Sequence, residues 1–199
     1  MTDGDLRQPL RARLRARRRS LSPQEQQQAA LLLVRQLLKM PQLLRAQHIA
    51  LYSANDGEID PEPLARQLWK MGKHTYLPVL RPDKPRELWF VAYGPDTPLT
   101  PNRFGIAEPD FRQAHRLPPH LLDMALMPLV GFDRQGTRLG MGGGFYDRTF
   151  AFKQQKPKGK PYLVGLAHSC QEEESLATAS WDIPLFALAT EQELILCAR

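Results

Sequence analysis

This 199-residue sequence predicts an α/β fold built on a mostly parallel sheet, and three observations predict it. A strand-like run, His48 to Ser53, is followed by a helix-compatible segment from Pro61 to Met71 and a second strand-like run, Thr75 to Val79. That order and spacing is a βαβ unit. An apolar run, Met124 to Phe132, leads into a glycine-rich stretch at Gly140 to Gly144 and then a helix-compatible segment, Phe145 to Lys153. Strand, tight turn and helix start again follow one another. Finally, Tyr162 to Ala167 is an uninterrupted apolar run of the kind found in strands buried on both faces.

The remaining elements are justified in order. Pro9 suits the first turn of a helix running to about Arg19, with Leu6, Leu10 and Leu14 on one face and Arg7 and Arg11 on the next. Three readings of this segment stand together: a solvated basic helix, an anion clamp folded back onto the glycine stretch, and a nucleic-acid-binding arm. Ser22-Pro23-Gln24-Glu25 is a capping box that opens a packing helix, which Met40-Pro41 ends. Asn55-Asp56-Gly57 is a turn, followed by Glu58; Gly72 stops the helix that Pro61 begins. Leu88 to Tyr93 is a further strand. From Gly94 to Pro119 the chain is rich in proline and without period, the pattern of a long surface excursion bordering a site. Pro128 is tolerated near a strand end, Pro157 to Lys160 is a basic surface turn, Trp181 to Pro184 a loop, and Glu193 to Cys197 a last strand.

Composition narrows the function. The formal charge is +6, yet residues 1–20 hold seven arginines against Asp3 and Asp5 while the rest of the chain is almost balanced. The basicity therefore belongs to one segment. Two cysteines, Cys170 and Cys197, are too few for a disulfide framework or a zinc centre and predict a reducing, cytoplasmic setting. No apolar run approaches a membrane span and no apolar leader opens the chain, so no membrane partner is expected. Length and pattern predict one domain over residues 1–199.

Four of the thirteen glycines fall between Gly140 and Gly144. Glycine lets successive backbone N–H groups turn toward one point, and a helix start adds positive potential, so the stretch suits phosphate. It is neither a Walker A loop nor a dinucleotide fingerprint, because Phe145 stands where either pattern needs glycine. Arg138 and Arg148 bracket it, and Asp147 and Asp182 are carboxylates of the number Mg²⁺ uses beside phosphate oxygens. Nothing in the sequence matches a zinc cluster, a G-x-S-x-G elbow or a Cys/His nucleophile pattern. These features predict Mg²⁺-nucleotide chemistry on small molecules. A nucleotide-dependent kinase acting on another small acid, and a nucleic-acid-binding protein using the basic helix, are the alternatives.

The run Phe132 to Arg148 resembles the signature of the 5-formyltetrahydrofolate cyclo-ligase family, also called methenyltetrahydrofolate synthetases. Arg7-Gln8-Pro9-Leu10-Arg11 is similar to the family's K-x-x-L-R motif, Gly57-Glu58-Ile59-Asp60 to its G-E-I-D segment, and Gly165 to His168, Gln171 and Trp181-Asp182 to its C-terminal blocks. The resemblance implies ATP- and Mg²⁺-dependent closure of 5-formyltetrahydrofolate to 5,10-methenyltetrahydrofolate with release of ADP and phosphate. It implies a three-layer architecture similar to ribose-phosphate isomerase and CoA-transferase-like folds. It assigns ATP to Arg7, Gln8, Pro9, Leu10, Arg11, Arg138, Leu139, Gly140, Met141, Gly142, Gly143, Gly144, Phe145 and Tyr146. Folate falls to Tyr52, Glu58 and the loop from Met141 to Phe145, the metal to Asp147 and Asp182, and transition-state charge to Arg138. Two departures stand out. Arg7 replaces the usual Lys, exchanging a point charge for a planar fork, and Phe145 lacks the hydroxyl of the Tyr many relatives have there.

Overall fold

The computed structural model describes residues 3–112, 114–179 and 181–197. Three helices come first: α1 (Asp3–Arg19), α2 (Pro23–Leu37) and α3 (Pro41–Arg45). They are followed by β1 (His48–Ala50), α4 (Glu62–Lys70), β2 (His74–Leu80), β3 (Leu88–Tyr93), β4 (Leu99–Pro101), β5 (Ala107–Pro109) and β6 (Arg116–Leu117). Then come β7 (Met124–Pro128), β8 (Gly131–Phe132), β9 (Arg138–Leu139), α5 (Phe145–Thr149), β10 (Tyr162–Leu166), β11 (Ala187–Ala189) and β12 (Leu194–Leu196).

Eight strands form the central sheet in the order β12-β11-β10-β7-β1-β2-β3-β6. The middle five run parallel, and β12, β3 and β6 pair antiparallel with their neighbours. The predicted βαβ unit is β1–α4–β2, with Ile49 opposite Thr75. Period-two alternation divides the strand residues between two cores. Ile49, Leu51, Leu77, Met124, Leu126 and Val164 pack under α2 and α4 through Leu33, Leu37, Leu64 and Leu68. Ala50, Tyr76, Phe90, Ala125, Met127 and Leu163 face the other way, against Phe132, Phe150 and Ile183. Helix, sheet and a second covering layer give the three-layer architecture. At the start of α2, Ser22 Oγ accepts the Glu25 N–H at 3.3 Å and Glu25 Oε2 accepts the Ser22 N–H at 2.7 Å, closing the predicted capping box.

Several boundaries differ from expectation. Pro9 lies inside α1 and not in its first turn. Lacking an N–H, it cannot bond to the carbonyl four residues back, and it sits on an exposed part of the helix. The side chain of Leu6 falls outside what the structure describes; Leu10 and Leu14 do share the buried face, packing with Val130, Leu139 and Leu176. The run His48 to Ser53 is a strand only to Ala50. The run Met124 to Phe132 breaks after Pro128, and a separate hairpin, β8–β9, stands between the sheet and the glycine loop. The helix expected to reach Lys153 ends at Thr149 and continues as a 3-10 turn over Ala151–Lys153. The proline-rich excursion holds the β4–β5 hairpin and the edge strand β6.

Candidate active site

The glycine loop runs from the end of β9 into α5. Gly142 has φ +93° and Gly144 φ +67°, left-handed values that side-chain-bearing residues seldom adopt. A Cβ on Gly142 would also lie 3.4 Å from Arg11 Cζ. Helix α5 is only five residues long, so the helix-dipole attraction expected here is that of a little more than one turn. Any anion affinity falls on the loop N–H groups and the arginines. Met141 is exposed, while Leu139 is buried against Leu10 and Leu14. Of the residues assigned to ATP, Leu10 and Leu139 thus place side chains in a small core that seats α1 beside the loop. Gln8 and Pro9 are exposed.

Helix α1 is not a solvated arm. Leu14 and Arg18 are fully buried, and Gly131 of β8 approaches so closely that a Cβ there would lie 2.4 Å from Leu14 Cδ1. From the helix, Arg11 Nε donates to the Gly140 carbonyl at 2.8 Å, and its Nη1 to Gln8 Oε1 at 3.2 Å. Burial, and secondly the charge of Arg7, lower the proton affinity of Arg11; Asp182 opposes them. Arg7 Nη2 donates to the Ala177 carbonyl at 2.6 Å and to Asp182 Oδ2 at 3.1 Å. Its Nε is buried with no hydrogen-bond partner among the described residues.

The two candidate metal carboxylates are linked through the backbone of Ile183, which follows Asp182 and bonds to Asp147. Asp147 Oδ1 pairs with Arg138 Nη2 and accepts the Ile183 N–H at 3.2 Å, while Asp182 Oδ2 accepts the Ala179 N–H at 2.8 Å. Their described bonds leave Oδ2 of Asp147 and Oδ1 of Asp182 as oxygen donors. No group of three or more His, Cys, Asp or Glu suited to a metal occurs among the described residues. The pair fits Mg²⁺, which takes one or two carboxylates and completes its octahedron with phosphate oxygens and water. Arg138 is nearly buried, and its Nη1 also donates to the Ile183 carbonyl at 2.5 Å.

Glu58 and Tyr52 belong to the segment that follows β1. Glu58 Oε2 accepts the Asn55 N–H at 3.1 Å, and Oε1 is 3.7 Å from Arg18 Nη2. Burial raises the Glu58 carboxyl from 4.5 to about 7, although Arg18 and the Asn55 N–H pull it down. The phenols of Tyr52 and Tyr146 are also pushed up, first by burial and then by the charge of Glu58. The Tyr52 hydroxyl is committed to the Ile59 carbonyl at 2.6 Å. Its ring instead lines a cavity of about 290 Å³ with Leu51, Asp60, Glu62, Leu77 and Tyr93.

Sequence reasoning missed three contributors. Asp56, read as a turn residue, accepts hydrogen bonds from Arg15, Arg18 and Arg19. Burial alone would raise its carboxyl, but bonds from Arg15, Arg19 and Arg18 hold it at about 2. Arg18 itself was one cation in a charge run. Phe104, at the tip of the β4–β5 hairpin, meets Phe145 edge to face at 6.2 Å, so the excursion does border the loop. Gln171 is structural: fully buried, it donates to the Leu129 and Val130 carbonyls and accepts the His168 N–H, bracing the bend between β7 and β8. His168 is buried beside Gly57, and burial lowers its proton affinity.

Comparison with known proteins bears on this arrangement. Residues 3–191 match the family model described as the 5-formyltetrahydrofolate cyclo-ligase family. The chain is 44% identical over 181 residues to the 5-formyltetrahydrofolate cyclo-ligase of Haemophilus influenzae, covering 90% of this chain and 95% of that one. It is 43% identical to that of Escherichia coli K12, with 91% and 98% covered. Among solved structures, the 5,10-methenyltetrahydrofolate synthetase of Aquifex aeolicus superposes with a TM-score of 0.82 at 31% identity, over 98% of this chain and 94% of that one. A synthetase from Mycoplasma pneumoniae, 22% identical with a TM-score of 0.71, shares the fold.

Proposed function

The chain belongs to the 5-formyltetrahydrofolate cyclo-ligase family, and from that premise we propose that it closes 5-formyltetrahydrofolate to 5,10-methenyltetrahydrofolate, with Mg-ATP converted to ADP and phosphate. The observation that supports the ATP half is a chain of contacts beside the glycine loop: Arg11 bonds to Gly140, Arg7 to Asp182, and Asp147, just past the loop, to the residue after Asp182. The buried, unpartnered Nε of Arg7 is a donor in reserve for a phosphate oxygen.

The chemistry follows from the substrate. A formamide oxygen leaves poorly, so transfer of the γ-phosphoryl group to it makes a leaving group. The N10 amine then attacks the formyl carbon, N10 gives up its proton, and phosphate departs with the C–O bond. Bound between Asp147 and Asp182, Mg²⁺ would neutralise phosphate charge. The protein's contribution is position and charge. Arg7 and Arg11 hold the triphosphate from the helix side, the N–H groups of Gly142 to Gly144 meet it from the loop, and Arg138, oriented by Asp147, faces the charge of the transferring group. Glu58, whose proton affinity burial raises to near neutrality, is assigned to accept the N10 proton. The exposed Met141 and the Phe104–Phe145 pair form the outer rim of the folate side. Cytoplasmic residence belongs to the same proposal; no helix among the described residues is long and apolar enough to cross a membrane.

The test is direct. Purified protein with Mg-ATP and 5-formyltetrahydrofolate is expected to form the methenyl product, followed by its near-ultraviolet absorbance, with stoichiometric ADP. Failure to form it beside an active control enzyme refutes the reading. Phosphorylation of an unrelated small acid, with folate inert, favours the kinase alternative.

A further inference from the structure

Helix α1 touches both halves of the site. Near its start, Arg7 and Arg11 meet Asp182 and the Gly140 carbonyl. Eleven residues beyond Arg7, about 16 Å along the axis at 1.5 Å per residue, Arg18 sits among the elements that hold Glu58. Its guanidinium is fully buried and every nitrogen is engaged. Nε donates to the Asp56 carbonyl at 2.8 Å, Nη1 to the Leu129 carbonyl at 3.1 Å and Nη2 to Asp56 Oδ2 at 2.9 Å. Glu58 Oε1 is 3.7 Å from Nη2. One side chain thus joins α1, the loop after β1 and the end of β7. Gly57, between Asp56 and Glu58, has φ +75°, and a Cβ on it would lie 3.3 Å from the Arg18 carbonyl, so the loop is also pressed onto the helix backbone. Arg15 and Arg19 add two further bonds to the same Asp56 carboxylate.

An apolar side chain would fill this space without desolvating a cation, and buried ion pairs seldom add stability over such a replacement. The charge therefore calls for another explanation than stability. Arg7, Arg11 and Arg18 belong to one continuous helix, so a shift of its start bears on Arg18, and with it on the Asn55–Glu58 loop. We propose that Arg18 is a positioning residue that couples the two substrate sites, so that nucleotide held by the start of α1 sets the Glu58 loop for folate, and folate in turn sets α1 for nucleotide. The proposal rests on the assignment of ATP to Arg7, Arg11 and the glycine loop and of folate to Tyr52, Glu58 and the same loop. Coupling of this kind is reciprocal, because it is a free energy shared by both binding equilibria.

The experiment is equilibrium binding of 5-formyltetrahydrofolate to the full chain by calorimetry, with and without a non-hydrolysable Mg-ATP analogue, and the same measurement with the ligands exchanged. In the natural protein each ligand is expected to tighten the other about fivefold or more. In Arg18→Met the ratio is expected to fall below about twofold, with Arg18→Lys between the two. Asp56→Asn keeps the backbone acceptor and the shape of the loop, so it carries the same readout if Arg18→Met does not fold. A merely structural arginine would lower thermal stability, or both affinities together, and leave the ratio unchanged. A natural protein with a ratio of one, or an unchanged ratio in Asp56→Asn, overturns the coupling even where methenyl product is formed. A natural protein that binds no folate and forms no product overturns the functional reading, and the coupling with it.

Discussion

Replacement of Glu58 by Gln isolates the electrostatic cost of burying this carboxylate. The Glu58 side chain is 11% exposed, and burial raises its proton affinity from 4.5 to about 7. Arg18, the Asn55 N–H and Arg15 pull it down, and Asp56 pushes it up. Between those two values the folded protein keeps a proton that the unfolded chain has already released. Stability must then fall as pH rises, because the native state binds more protons. The contribution is fully present below the unfolded value and lost as pH passes through the folded one. Across the window it amounts to about 3 kcal/mol at 1.36 kcal/mol per pKa unit. Gln cannot titrate, and its altered contact with Arg18 gives an offset that does not depend on pH. The quantity to follow is the melting temperature of Glu58→Gln minus that of the natural protein, in thermal melts from about pH 4 to pH 9 at constant ionic strength. It should climb by roughly 6–12 °C, at 2–4 °C per kcal/mol for a chain of this size, and level off above the folded value. A difference that stays flat, or falls with pH, refutes the burial of a titrating carboxylate at this position.

Arg11→Ala removes the bond to Gly140 and the cation proposed to meet the triphosphate. It should raise KM for ATP by about tenfold or more, on the scale of one charge-assisted hydrogen bond, with little change in melting temperature. Wild-type ATP dependence would return α1 to a structural role. Asp147→Asn should raise the Mg²⁺ concentration for half-maximal rate by about tenfold and loosen Arg138, seen as a lower kcat at saturating metal. An unchanged Mg²⁺ titration would leave Asp147 as a helix-start residue alone. Leu14→Ala, at a fully buried position in the seam between α1 and β8–β9, should cost about 2–5 kcal/mol of stability in urea unfolding. A cost within experimental error would mean that α1 does not pack as described.

Local rules made much of the fold legible. Capping chemistry located the start of α2, the βαβ spacing identified β1–α4–β2 as parallel, and apolar continuity found β10. What escaped depends on partners far away in sequence. The strand β11 is Ala-Leu-Ala, three residues with no β-branched or aromatic side chain, and it exists because β10 and β12 pair with it. The β8–β9 hairpin hides inside an apolar run that periodicity alone reads as one strand. At the site, the glycine loop and its flanking charges were visible because their chemistry is local. The burial of Arg18 was not. Seven arginines between residues 7 and 19 look alike in sequence, and only a carboxylate 38 residues on distinguishes Arg18, Arg15 and Arg19 from Arg13 and Arg17, which turn to Glu173.

The docking of α1 also has a consequence in time. Arg7 bonds to Asp182 across 175 positions, and Arg13 and Arg17 reach Glu173 across 160 and 156. The sheet order places the strands from the second half of the chain between β1 and the edge at β12, so the surface that α1 covers is assembled last. At about 5–20 residues per second, a ribosome needs roughly 9–35 s to deliver those partners. Over that interval Arg15, Arg18 and Arg19 already have Asp56, while Arg7, Arg13 and Arg17 still lack their acidic partners. Contacts of such long range also slow folding, since loop closure precedes their reward. The seating of α1 on Glu173 and Asp182 is therefore among the last contacts to be completed.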